Sequence, residues 1–400
     1  MNWKMKFGRN WGRLGMKSKL SDICSYRKEK IAVAELDRGN YISTENMLPD
    51  KKRVTTATSL PTTIQTQKYA KGDILVSNIR PYFKKIWFAD KNGGCSNDVL
   101  VFKTKEGTDP RYLYYVLAND PFFEYSMATA KGTKMPRGDK KALMEYEVPD
   151  YDLKEQNKIA GVLSAIDDKI QLNNKINKNL LKQAMAIYKA WFCDYILFGG
   201  IRPAAWKNTT IDSISTFVTR GIAPKYDENS SQIVLNQKCI RDHTIDLSLA
   251  RRHIPKKINE KWIKKGDLLI NSTGTGTLGR VAQVWFDANN MTVDSHVTIV
   301  RPKSSILESY IGFWGLSHEN EIEAQHTGST GQTELPRERV KSMELLLPDA
   351  ETLSKFNDLV IPMTSTVELN QEENTRLSQL RDALLPKLMS GEIDISNIDI

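Results

Sequence analysis

The sequence predicts an α+β fold made twice over: two similar mixed domains, each followed by a long helix, with the two helices paired as an antiparallel coiled coil about a pseudo-twofold axis. Three observations predict it. Short stretches recur in one order about 197 residues apart. After each Pro-Asp near the end of a copy the hydrophobic pattern changes from period two to a heptad. The chain has 400 residues, 40% of them hydrophobic and 8% aromatic, which suits a globular protein of two or three domains.

The repeat comes first, because a motif inside it must make sense in both copies. "KGDILVSN" at 71–78 returns as "KGDLLINS" at 265–272, and Trp87-Phe88 returns as Trp285-Phe286. "KGTKMPRGDKKALMEYEVPD" at 131–150 returns as "TGQTELPRERVKSMELLLPD" at 330–349, sharing a glycine, a Pro-Arg and a closing Pro-Asp. The expected organisation is a basic extension over 1–15, with Met16 as an alternative start, and recognition-sized domains over 16–150 and 199–348. Long helices are expected over 151–198 and 349–390, with a tail over 391–400.

Within each domain the Lys-Gly-Asp stretch opens a strand. In the second copy it runs into "NSTGTGTLGRVAQVWF", where Gly274, Gly276 and Gly279 spell G-x-G-x-x-G. A dinucleotide loop of that form opens a helix, whereas "RVAQVWFDANN" is β-branched and aromatic and ends in turn residues, so strand, loop, strand is predicted. Asp294 stands where a ribose-binding acid would, but precedes the strand "HVTIV" instead of ending one. The first copy has "SNIRPYFKK" here, four residues shorter and without glycine. The glycines are then an embellishment of one copy, giving a flexible hairpin loop or letting backbone approach a surface such as DNA.

The helices follow from spacing. Ile159, Leu163, Ile166, Ile170, Asn173, Asn177, Leu180, Ala184, Ile187 and Trp191 alternate four and three apart, an a/d seam. Adding 197 gives Phe356, Val360, Met363, Val367, Asn370, Asn374, Leu377, Arg381, Leu384 and Leu388, so asparagine falls on asparagine. Amides in an apolar seam cost stability and fix register, which points to pairing of the two helices with each other. Pro362 is expected to kink the second helix early. Ile159 to Trp191 would rise about 48 Å, the length of roughly 14 base pairs.

Lys plus Arg number 57 against 48 Asp plus Glu, a formal charge of +9, which favours a polyanionic partner. The basic residues cluster at matched places. In copy one, Arg80, Lys84 and Lys85 surround Tyr82 and Phe83, and Lys131, Lys134, Arg137, Lys140 and Lys141 crowd the second segment. In copy two, Thr273, Thr275, Thr277 and Arg280 line the glycine loop, and Gln332, Thr333, Arg337 and Arg339 occupy the second segment. Most would neutralise phosphates, while Arg and Gln can read guanine and adenine edges. Cys24, Cys95, Cys193 and Cys239 lie far apart without zinc spacing, and the five histidines, all in the second half, lack metal-ligand spacing. No apolar run is long enough for a membrane span and no secretory leader is seen, so a reduced cytoplasmic setting is expected.

In its duplicated order the chain resembles the specificity subunit of type I restriction-modification systems. The residues carrying the resemblance are Gly72-Asp73-Ile74-Leu75, Gly132-Thr133, Pro149 and Glu155-Gln156-Asn157-Lys158-Ile159-Ala160, then Gly266-Asp267-Leu268-Leu269, Gly331 and Pro348. Copy two has Leu353-Ser354-Lys355 where Glu-Gln would be expected. The resemblance implies a non-catalytic subunit whose two domains each read half of a split, asymmetric sequence in double-stranded DNA. It implies helices that space the domains and dock two methylation subunits. S-adenosylmethionine, ATP and Mg²⁺ would sit on the methylation and restriction subunits, and no cofactor or metal on this chain. No N-P-P-Y, D-P-P-Y or G-x-x-x-x-G-K-[ST] occurs, in keeping with that division. The alternatives are a stand-alone methyltransferase or nuclease with duplicated recognition domains, and a coiled-coil scaffold that touches no nucleic acid.

Overall fold

The computed structural model describes residues 17–255, 261–328 and 333–394. The expected extension over 1–15, Met16 and Gln332 lie outside the described residues, as does the tail from 395. The chain divides into two compact units, 1–171 with 374–400, and 172–373.

In the first unit a four-stranded antiparallel sheet runs in the order Cys24–Tyr26, Val99–Thr104, Ile74–Ser77, Ile86–Phe88. The Lys-Gly-Asp strand is central and buried on both faces. Ile74 and Val76 pack with Phe102, Tyr112, Leu113 and Phe122, whereas Leu75 packs on the other side with Tyr69, Val99 and Val101. Two-sided burial explains why "ILV" is a continuous apolar run instead of an alternation. A second sheet has the order Lys30–Ala32, Gln65–Tyr69, Gly93–Cys95, Tyr41–Ile42, its last pair parallel. Lys17–Lys19 pairs with Glu147–Pro149 and brings the two ends of the domain together.

The second unit repeats the scheme. Its main sheet has the order Ser215–Arg220, Val297–Pro302, Leu268–Asn271, Val281–Gln283. Leu268 and Ile270 face one cluster and Leu269 the other. The smaller sheet, Arg251–His253, Gln232–Leu235, Met291–Val293, again ends in a parallel pair, and Lys207–Thr210 closes the domain against Glu344–Leu347.

The repeated Lys-Gly-Asp is a structural device. Gly72 and Gly266 have φ of 90° and 91°, a turn that a side chain would strain. The aspartates are buried, and each accepts the N–H three residues before it, Ala70 and Lys264, at 2.8 Å. Each also takes a two-pronged arginine: Arg27 on Asp73 at 2.5 and 3.0 Å, and Arg301 on Asp267 at 2.8 and 2.7 Å.

The long helices run Leu153–Phe192 and Ala350–Met389, 40 residues each. Asp152 and Glu155 form a capping box at the first, with Asp152 Oδ1 accepting from the Glu155 N–H at 2.8 Å and Glu155 Oε2 from the Asp152 N–H at 3.0 Å. At the second, Asp349 accepts the Thr352 N–H at 2.9 Å. Asp152 and Asp349 are therefore counterparts, Thr352 takes the place of Glu155, and buried Leu353 that of Gln156. The expected departure at Leu353-Ser354-Lys355 is a local exchange of one cap for another. The second helix is uninterrupted across Pro362.

Seam residues point inward within each unit. In the first, Ile159 and Leu163 share a cluster with Leu384, Leu385 and Leu388, Tyr151 Oη donates to Leu388 O at 3.0 Å, and Arg381 meets Asp167 at 2.9 Å. In the second, Leu180 and Ala184 pack with Phe356, Val360, Met363 and Val367. There Asn370 Nδ2 donates to Asn177 Oδ1 at 2.7 Å, and Asn173 Nδ2 donates to Glu373 Oε2 at 2.6 Å. Asparagine thus meets asparagine at one position and a carboxylate at the next. Towards the end of the first helix the buried stripe moves from the expected Ile187 and Trp191 to Tyr188 and Phe192, which stack among Tyr310, Phe313 and Phe356.

Candidate nucleic-acid interface

The candidate residues lie on two loops per unit or on the short helix that follows the second loop, and the backbone joins those loops. In the first unit the loop 78–85 links two strands of the main sheet. Its Arg80 N–H donates to Pro136 O at 2.9 Å, and the Gly138 N–H donates to Asn78 O at 3.3 Å. Ile79 bridges Arg137, which bridges Lys131. Segments more than fifty residues apart in sequence thus form one surface. Arg80 and Lys84 hold φ near 50° on either side of the turn Pro81–Phe83, which leaves Tyr82 and Phe83 exposed.

The cations divide by what they touch. Lys84 and Lys51 both grip Asp120, at 2.9 and 2.7 Å. Burial opposes ionisation of that carboxyl, but the two ammoniums outweigh it and hold it below the usual range. Lys85 reaches Thr44 O at 2.6 Å, and its burial lowers its basicity. Lys131 meets Asp139 at 2.5 Å, and this bond, with the Ala142 and Lys141 N–H groups, lowers Asp139 to about 2. Arg137 meets Asp98 at 3.0 Å. Arg80, Lys134 and Lys140 are exposed, and among the described residues no side-chain hydrogen bond or ion pair holds them. Exposed pairs such as Lys131–Asp139 hold their cations weakly, so those cations too can turn to a phosphate.

In the second unit the loop 272–280 leaves the same strand and returns on Val281–Gln283. Strand, loop, strand is what the structure has, and no helix follows the glycines. Asp294, the ribose-acid position, is buried and accepts the His296 N–H at 2.9 Å. Gly274, Gly276 and Gly279 have φ of 103°, 70° and 83°. A Cβ on Gly274 would lie 2.3 Å from Thr277 Oγ1, and one on Gly279 would lie 2.6 Å from Glu323 Cβ, whereas Gly276 is in open space. Two of the glycines thus shape the loop and one forms its exposed tip, beside exposed Thr275. Thr273 and Thr277 turn inward, Thr273 Oγ1 lying within hydrogen-bond distance, 2.7 Å, of His296 Nδ1, and Thr277 Oγ1 donating to Thr273 O at 3.2 Å. Arg280 is half-buried. The joining is as before: the Leu335 N–H donates to Ser272 O at 2.8 Å, and Thr273 bridges Glu334. Thr333 begins the described part of this second segment. Arg337 and Arg339 are exposed on the short helix that follows, Arg337 against Glu338 at 3.0 Å.

The backbone bonds also correct the repeat. Ala89 donates to Asp73 O as Val284 does to Asp267 O, both at 2.9 Å. Trp87 is therefore the counterpart of Ala282, and Trp285 lies beyond the strand, its indole on Gln283 Oε1 at 3.0 Å. The returning Trp-Phe pair is not structurally equivalent, and the glycine loop is one residue longer than its counterpart, not four.

Sequence reasoning missed residues that the fold places beside these loops. Asp98 and His296 occupy matched positions before the neighbouring strand, one on Arg137 and the other on Thr273. Thr44 and Gln237 follow the matched parallel strands, and the carbonyl of each is held from the main-sheet hairpin, by Lys85 and by Asn271 Nδ2 at 2.9 Å. These pairs differ in side chain, so no repeated motif marks them.

All four cysteines are unpaired; burial pushes the Cys24 and Cys95 thiols up to about 12 and Cys239 to about 11. Among the described residues no cluster of His, Cys, Asp and Glu could hold a metal, and no helix is long and apolar enough to cross a membrane.

Residues 15–182 match the family described as the type I restriction modification DNA specificity domain. The chain is 28% identical to the type I restriction enzyme MjaIX specificity subunit of Methanocaldococcus jannaschii, over 74% of this chain and 71% of that one. It is 23% identical to the HindI specificity subunit of Haemophilus influenzae, over 81% and 87%. In fold it is similar to the type I restriction-modification S subunit of M. genitalium, with a TM-score of 0.56 at 17% identity over 94% and 96% of the two chains. A specificity domain matched over residues 15–182, relatives similar over most of their length and a shared fold agree, and all three make the chain similar to specificity subunits of the type I restriction-modification kind.

Proposed function

We propose that this subunit supplies the address for a DNA-modifying complex, each unit reading one half of a bipartite, asymmetric duplex sequence. The observation that carries the reading is the repeated assembly: in two separate units, two loops far apart in sequence are joined by backbone bonds into one surface bearing uncommitted basic or polar side chains. Residues 16–150 and 199–348 are the two recognition domains. The long helices, paired antiparallel as one coiled coil, space them and dock two methylation subunits, through which restriction subunits join. S-adenosylmethionine, ATP and Mg²⁺ belong to those partners, and the complex works where the DNA is, in the cytoplasm. Arg80, Lys134 and Lys140 neutralise phosphates, and Arg137, Gln332 and Thr275 read bases.

The test is to map methylated sites on DNA from cells carrying this chain with its methylation subunit. Two fixed half-sites separated by a non-specific spacer are expected. A continuous target, or turnover by the purified chain alone with Mg²⁺ and S-adenosylmethionine, would overturn the reading. A scaffold that ignores DNA would show no binding even at low salt.

A further inference from the structure

Within that reading, we propose that a third loop in each unit, 43–46 and 236–239, also reads DNA, and that Gln237 sets the preference at one base of the second half-site. Both loops leave the strand that runs parallel to its neighbour in the smaller sheet. Both are tied to the basic hairpin through the same backbone carbonyl, that of Thr44 and that of Gln237. The scaffold is therefore the same, while the sequences, Ser-Thr-Glu-Asn and Asn-Gln-Lys-Cys, are not. Equal placement with unequal chemistry is what two readers of different half-sites require. The first loop also borders a polar cleft of about 340 Å³ that includes Asp98, the partner of Arg137.

Gln237 is the best defined of these residues. Thr273 Oγ1 donates to its Oε1 at 3.2 Å, and its carboxamide packs close to Gly274, where a Cβ would come within 2.7 Å of Oε1 and 2.8 Å of Nε2. Among the described residues nothing accepts from Nε2. A half-exposed amide with its oxygen pinned and its donor unused is preorganised to bond an acceptor on a base edge, such as N7 or O6 of guanine. Carboxylate at this position would keep the Thr273 bond and exchange the donor for an acceptor, which suits the amino group of cytosine.

The experiment selects bound sequences from a pool of random duplexes, using the full chain purified with its methylation subunit, for wild type, Gln237→Glu, Gly274→Ala and the double variant Thr44→Gln/Glu45→Lys. Gln237→Glu should change preference at one position of the second half-site by roughly five- to a hundred-fold and leave the first half-site alone. Gly274→Ala, whose methyl would meet both Thr277 Oγ1 and the Gln237 carboxamide at a left-handed φ, should relax that same position by disturbing the loop and the amide together. The Thr44/Glu45 variant should alter only the first half-site. An unchanged target in a Gln237→Glu protein whose melting temperature matches wild type would overturn the inference, as would a uniform loss across all sequences. Failure of the wild-type complex to select any bipartite sequence would instead defeat the reading on which it rests.

Discussion

Replacing Asn177 by leucine should destabilise the protein, whereas replacing Asn177 and Asn370 together should not. Asn370 Nδ2 donates to Asn177 Oδ1 at 2.7 Å, and Asn177 is 7% exposed. With leucine at 177, the Asn370 amide faces hydrocarbon and loses its acceptor, which costs about 1–3 kcal/mol for a buried donor. Asn370 is itself half-buried, so water recovers part of this and about 1 kcal/mol is expected. Removing both polar groups leaves no orphan and extends the apolar seam, so the double variant should be neutral or more stable. The coupling between the two sites should then be about 1–2 kcal/mol. Urea denaturation of wild type, both single variants and the double variant measures it, provided the slopes agree. Additive losses would refute the reasoning, because they would mean that the amides do not depend on each other.

Other outcomes follow from named contacts. Arg301→Met should cost about 3–5 kcal/mol by stranding the Asp267 carboxylate, which is 1% exposed; adding Asp267→Asn, which removes the charge but can still accept from Lys264, should restore part of this in thermal melts. Asp139 is lowered to about 2, so its contribution is present above the ordinary carboxylate range and is lost as pH falls from about 4 towards 2; the stability gap between wild type and Asp139→Asn should close over that window. Arg80→Ala and Lys134→Ala should each weaken all duplexes alike and lower the salt slope by about 1, whereas Arg137→Ala should relax a base in the first half-site only. Binding isotherms at several salt concentrations separate the two behaviours.

Much of this architecture was legible because it is written twice. The Lys-Gly-Asp strands, the Pro-Asp boundaries and the helix seams impose periodic or conformational demands that leave a trace in residue type. Gly72 and Gly266 are glycine because of their left-handed φ, and the continuous apolar runs that follow are apolar because both faces are covered. The register of the glycine hairpin was not legible. Trp87-Phe88 and Trp285-Phe286 match as letters, yet Trp87 lies opposite Leu75 as Ala282 lies opposite Leu269, because loop length sets a hairpin's register and the two loops differ by one residue. The third loop was invisible for the opposite reason: Thr44 and Gln237 share a place without sharing chemistry. Among the basic residues the sequence shows charge but not commitment, and only the structure separates Lys84, held by Asp120, from Lys134.

The arginines that neutralise Asp73 and Asp267 come from different strands, and this bears on how such subunits can be recombined. Arg27 follows the outer strand of its sheet and corresponds to Thr219, while Arg301 lies on the adjacent strand and corresponds to Lys103. A chimera taking its outer strand from the second half and the rest of the sheet from the first would carry Thr219 and Lys103, leaving Asp73 without either guanidinium. The reciprocal chimera would bring two arginines to Asp267. On the proposed reading, exchange of a whole domain keeps each aspartate with its own arginine, but a crossover inside the sheet yields one product with a missing counter-ion and another with a surplus, which disfavours shuffling within the sheet.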